Sequence, residues 1–191
     1  MKSACPPVPA LRPLRALPGG AVQARLVAAL AAADGLAGAQ AIHELWMRRA
    51  APPAQIDALL ERLWQAAADS IPDWLPMRHV AWLEFAYQVA GQFRAVRRGR
   101  SHIYLVLLDY SDRRGEPHGV YVGMTSHAPG LRFDQHKQGI RAARSVTRRG
   151  LELLTGPVQH LQFIARPEAA RIEAELADAL RALGLQVEGG H

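Results

Sequence analysis

In SHIYLVLLDYSDRRGEPHGVYVGM, residues 101 to 124, two apolar runs flank a polar loop. The first run is apolar on both alternating faces, with Ile103, Leu105 and Leu107 against Tyr104, Val106 and Leu108, as expected of a strand covered on both sides. The second, GVYVGM, alternates Tyr121 and Gly123 with Val120, Val122 and Met124, and reads as a second strand. Pro129-Gly130 then leads into a helix carrying LRFDQHKQG, residues 131 to 139. Beyond a basic helical or loop segment ending at Arg149, PVQHLQFIA (157 to 165) reads as a third strand. PEAARIEAELADALRALG reads as a long final helix, opened by Pro167 and closed by Gly184. The expected class is α+β, with a small antiparallel three-stranded sheet flanked by helices.

Upstream, residues 20 to 96 read as a helical region. Ile56, Leu59, Leu60, Leu63 and Trp64 recur with helical spacing over residues 54 to 68, and Val22, Leu26, Leu30 and Val80, Leu83, Tyr87 form similar stripes. A bundle of three or four helices packed by Trp46, Trp64, Trp74 and Trp82 is the economical expectation. Residues 1 to 19 read as a flexible Pro-rich tail, which gives three parts: 1–19, 20–96 and 101–191.

The 191 residues are 49% hydrophobic and 21% charged, which excludes disorder throughout. The net charge of +6 is uneven: residues 94 to 149 hold 12 Arg and Lys against 4 Asp and Glu, net +8, and the remainder is net −2. Such a patch suits phosphates, although a solvated basic face has the same composition. A single cysteine, Cys5, excludes an internal disulfide and a multi-cysteine zinc site, so a reducing, cytoplasmic setting is expected. No run approaches membrane-spanning length, and no membrane association is expected.

Residues four apart on a helix differ by about 40° in direction, so Arg132 and His136 project together. Two solvated polar side chains would satisfy the same spacing. On the last helix Ile172, Leu176, Leu180 and Leu183 form the core stripe, and Glu173 lies within about 20° of Leu180. A carboxylate carried inward needs a cation or a metal beside it.

These residues carry a resemblance. HIY (102 to 104), YVG (121 to 123), RFDQH (Arg132 to His136) and EAARIE (Glu168 to Glu173) occur in the order of the GIY-YIG endonuclease motifs, and residues 101–191 resemble that family. His102 stands where glycine is usual, the interval from Tyr104 to Tyr121 is enlarged by a loop holding Arg113 and Arg114, and GLQVEGGH offers no counterpart to an asparagine often found near the family's C-terminal end. The resemblance implies a metal-dependent DNA endonuclease with Tyr104, Tyr121, Arg132, His136 and Glu173 catalytic, and Glu173 holding Mg²⁺ or Mn²⁺. It makes Tyr104 or Tyr121, Tyr121 preferred, the acceptor of the water's proton, with His136 orienting it and Arg132 on the phosphate. Arg141, Arg144, Arg148 and Arg149 suit phosphate contacts along the duplex. A non-catalytic nucleic-acid-binding module is the alternative, and the helical region is a candidate for binding a protein partner.

Overall fold

The computed structural model describes residues 12–72, 75–76 and 80–190. Most of the Pro-rich tail, Cys5 and Trp74 lie outside the described residues. The described residues divide into two compact units, one up to Ala81 and one from Trp82 onward. The division falls earlier than residues 96 to 101, so Leu83 and Tyr87 of the last helical stripe belong with the sheet and Val80 does not.

The first unit holds α1 (Gly19–Ala31), α2 (Gly35–Met47) and α3 (Pro53–Ala67). Asp34 caps α2 by accepting from the Ala37 N–H at 3.0 Å, and Pro53 occupies the first turn of α3, where its missing N–H costs nothing. Val22 and Leu26 of α1 and Ile56, Leu60 and Leu63 of α3 are buried as their spacing requires. Trp64 is not: it is 54% exposed, and Trp82 belongs to the other unit. Trp64 directly follows Leu63, about 100° further round the helix, at the edge of the stripe rather than its centre. The expected four-tryptophan core is therefore corrected to Trp46, the only one of the four buried among the described residues of this unit.

A buried carboxylate closes this unit. Glu44, 1% exposed, accepts from Arg12 Nε and Nη2 at 3.0 and 2.9 Å and from Arg48 Nε at 2.6 Å. Burial alone would raise the Glu44 carboxyl, but the hydrogen bonds from Arg12 and Arg48 outweigh it and hold the group below its usual range. Arg48 also donates to the carbonyls of Leu14, Arg15 and Leu17, at 2.9, 3.0 and 2.9 Å, tying the entering chain to α2.

The second unit holds α4 (Leu83–Ala90), β1 (His102–Asp109), β2 (His118–Thr125), α5 (Pro129–Lys137), α6 (Arg144–Arg149), β3 (Gly150–Leu153), α7 (Arg166–Ala182) and β4 (Val187–Gly189). The sheet order is β3-β1-β2-β4; β1 is antiparallel to β2 and β3, and β4 runs parallel to β2. The α+β class holds, but the sheet has four strands and is mixed. β1 is central, which accounts for the burial of both its faces from Ile103 to Leu108.

The third strand is GLEL, not PVQHLQFIA. Pro157 has no N–H to give a ladder, and Val158, Leu161 and Ile164 are buried at a spacing of three while the chain turns through a short 3₁₀ segment, Gly156–Val158. That stretch keeps an isolated bridge, Ser101 to Ile164, and a bond from Ile103 N–H to the Leu161 carbonyl at 3.0 Å. β4 follows a left-handed Gly184, φ 81°, which ends α7 and reverses the chain.

Replacing Glu44 with glutamine leaves two guanidinium groups short of their counter-charge. The variant is expected to lose about 3 kcal/mol, measurable by urea denaturation followed by tryptophan fluorescence.

Candidate functional site

Registry brings the two strand motifs together. On the Tyr104 face of β1, Tyr104, Val106 and Leu108 pair with Gly123, Tyr121 and Gly119 of β2. Tyr121 is thus flanked on its own face by two glycines, and each glycine makes room for a ring. A Cβ on Gly123 would lie 2.6 Å from Tyr104 Cζ and 2.7 Å from Tyr121 Cε1; one on Gly119 would lie 2.6 Å from Tyr110 Cε2. The Tyr104 and Tyr121 rings come to 6.0 Å between centroids.

His136, near the end of α5, is fully buried against both, with centroids 6.1 Å from Tyr104 and 5.8 Å from Tyr121. Its Nδ1 accepts from the Ala143 N–H at 2.9 Å. A backbone N–H can only donate, so the proton of the neutral ring is on Nε2. Nε2–H then donates to the Tyr104 hydroxyl at 2.8 Å. The Tyr104 hydroxyl in turn is free to donate on the side where the Tyr121 ring lies, and the nearness of Tyr121 raises the Tyr104 phenol. One backbone amide thereby points the donors Ala143 and His136 at the Tyr104 oxygen and leaves the Tyr104 proton for the Tyr121 side.

Electrostatics keep this chain neutral. Burial, then the Arg132 charge, lowers His136 from 6.5 to about 4. Burial pushes the Tyr104 phenol well up, reinforced by Tyr121 and partly offset by Arg132. Tyr121 is raised chiefly by burial, and Glu173 adds to the rise while Arg132 opposes it. Arg132 therefore acts on all three groups and Glu173 on Tyr121.

Arg132 is held by the turn after α5. Its Nη2 donates to the Arg141 carbonyl at 2.8 Å, and its Nη1 to Gln135 Oε1 and the Ile140 carbonyl, both at 3.3 Å. Gly139 and Arg141 have φ of 77° and 45°, a left-handed path that turns these carbonyls back on the guanidinium. Ile140 is exposed for the same reason. Glu173 is 8% exposed on α7 among Ile172, Leu176 and Leu180, while Leu183, the last of the expected stripe, is exposed beyond the helix end. Tyr104, Tyr121, Arg132, His136 and Glu173 thus come from four elements to one neighbourhood.

Of the four basic side chains assigned to phosphate, Arg149 is otherwise engaged. It grips Asp112 with both Nη atoms at 2.7 and 2.8 Å, donates to the Asp109 carbonyl at 2.8 Å, and covers the Tyr110 ring at 4.6 Å. It is a staple of the β1–β2 loop. Arg141, Arg144 and Arg148 are exposed. A cleft of about 510 Å³ opens beside Arg132, lined also by Ser101, Thr125, His127, Arg141 and Arg166. No pattern in the sequence marks Arg166 or His127. The bridge between Ser101 and Ile164, which carries the chain to Arg166, brings this segment to the cleft.

Among the described residues no group of three or more His, Cys, Asp or Glu could hold a metal, and no helix is long and apolar enough to cross a membrane. The Glu173 carboxylate, whose charge acts on the Tyr121 phenol, is a hard-oxygen donor, which fits a largely hydrated Mg²⁺ or Mn²⁺ bound through one carboxylate. No family model, curated protein or solved structure matches the chain.

Gly123→Ala is expected to cost about 1–3 kcal/mol by forcing the two tyrosines apart, read as a drop in denaturation midpoint. Because His136 has a lowered folded-state pKa, its contribution is complete above pH 6.5 and erodes as pH falls towards 4. His43, also lowered to about 4, erodes over the same window, so the signature of His136 is the difference between wild type and His136→Gln in stability measured from pH 7 to 4.

Proposed function

We propose that residues 101–190 form a GIY-YIG-type nuclease module that hydrolyses DNA phosphodiester bonds with a divalent cation. The observation that carries this reading is the one-way hydrogen-bond chain from Ala143 through His136 to Tyr104, packed against Tyr121 and set between a tethered arginine and an inward carboxylate. A module that only binds nucleic acid needs cations, but has no use for a buried carboxylate or for an oriented phenol.

In this mechanism Tyr121 is the acceptor of the water's proton, and His136, through Tyr104, orders the phenol packed beside it, which supports Tyr121 over Tyr104 for that role. A phenol raised by burial stays protonated at neutral pH, so Tyr121 takes the water's proton as it releases its own to a phosphate oxygen. The water oxygen bonds to phosphorus and the bond to the 3′-oxygen breaks. Arg132 offers its remaining N–H donors to the extra charge on the phosphoryl oxygens, and its ties to the 140–141 carbonyls mean that no side-chain reorganisation is needed at that moment. Glu173 would hold Mg²⁺ or Mn²⁺, which when bound supplies charge stabilisation to the leaving oxygen. Arg141, Arg144 and Arg148 add sequence-independent phosphate contacts.

The test is nicking of supercoiled plasmid and of branched DNA by the purified chain with Mg²⁺. Arg132→Ala and Glu173→Ala are each expected to lower the rate by about 10²-fold or more while DNA binding persists, and Tyr121→Phe to lose more than Tyr104→Phe. Binding without cleavage of any substrate by the wild type would instead identify a non-catalytic module.

A further inference from the structure

One side chain in this unit is placed against its own interest. Phe163 has a left-handed backbone, φ 61°, and a ring that is 49% exposed. A bulky residue in that region is strained, and here the strain is not repaid by burial, since Leu161 and Ile164 supply the core contacts. Glycine or asparagine would hold the turn at lower cost.

What the ring does have is a mount. Gln162 Nε2 donates to the carbonyls of Ile103 and Val158, both at 2.8 Å, which leaves its Oε1 to accept from His102 Nδ1–H at 2.9 Å. The imidazole so fixed meets the Phe163 ring at 4.6 Å and 72°. The Phe163 carbonyl accepts from Gly99 N–H at 2.8 Å, anchoring the turn to the basic run Arg97, Arg98, Gly99, Arg100. Arg97 sets its guanidinium over the ring, 5.1 Å from the centroid, and remains exposed. Three residues on, Arg166 lines the cleft that contains Arg132.

We propose that Phe163 is a stacking platform for an unpaired nucleobase, with Arg97 and Arg166 holding the phosphates on either side, so that the module prefers DNA carrying an unpaired base beside the cleft. The proposal rests on the nucleic-acid reading given above and adds a substrate class to it. A half-exposed ring with a mobile guanidinium over it stacks any base, whereas a paired base offers only its edge. A phosphate chain running from Arg97 to Arg166 would lead the stacked strand towards the cleft. His102, which takes the place of the first-motif glycine, is the support that the platform requires.

The experiment uses the intact protein without divalent cation and 2-aminopurine oligodeoxynucleotides: a single strand, a duplex with a one-nucleotide flap, and the fully paired duplex. Wild type is expected to bind the single strand and flap more tightly and to change the fluorescence of the unpaired 2-aminopurine. Phe163→Asn, which suits a left-handed backbone, is expected to keep or raise thermal stability and to weaken both unpaired probes about fivefold or more, with the paired duplex unchanged. Phe163→Trp should retain the preference. Equal loss on all three probes, unchanged affinity for the unpaired ones, or loss of fold in Phe163→Asn would overturn the platform. Plasmid nicking separates the two readings: nicking without any unpaired-base preference removes the platform and leaves the nuclease, whereas the expected preference without cleavage does the reverse.

Discussion

The hydrogen bond from the Ala143 amide to His136 Nδ1 sets the polarity of everything around it. An imidazole buried between two phenols could carry its proton on either nitrogen, and the two tautomers would send the hydroxyl chain in opposite directions. The amide leaves one choice. The same junction is fastened again by Thr147, whose hydroxyl lies 2.9 Å from the His136 carbonyl and 3.1 Å from that of Ala143. α5 and α6 are therefore joined at the residue whose protonation matters most, and full burial keeps that residue neutral.

The sheet supplies the second constraint, through absent atoms. GVYVG places a glycine two residues before and two residues after Tyr121, and the spaces left by the missing Cβ atoms are filled by Tyr110 and Tyr104. A strand normally weakened by glycine is here closed by aromatic rings from the β1 side. Val120 and Val122, alternating with them, are buried on the opposite face, so the register cannot slip by one residue without exchanging core for site.

Alternation in SHIYLVLLD and GVYVGM was enough to find β1 and β2, and helical spacing enough to find α3 and the buried stripe of α7, because long periodic segments are dominated by one burial pattern. The inward direction of Glu173 was legible from its angle to Leu180 alone. What was not legible were the features made by distant pairing. β3 and β4 have four and three residues, too few to show a period, and PVQHLQFIA imitates a strand in composition while packing as a turn. Arg149 looked like its neighbours Arg144 and Arg148 in sequence; only the loop folding back with Asp112 and Tyr110 distinguishes it. The donor direction from Ala143 to Tyr104 depends on a contact across seven residues that no pattern announces.

The β1–β2 loop is fastened at both ends of Tyr110. Its hydroxyl donates to Glu188 of β4 at 2.9 Å, and its ring lies under the guanidinium groups of Arg113 and Arg149, the latter also clasping Asp112. A hairpin loop of this kind would ordinarily transmit its motion into the strands that it joins. Here the clamp interrupts that transmission before it reaches the tyrosine pair. Residues 114–116 form a mechanically insulated tip, a place where the chain can lengthen, shorten or change its charge while the geometry at Tyr121 stays as it is.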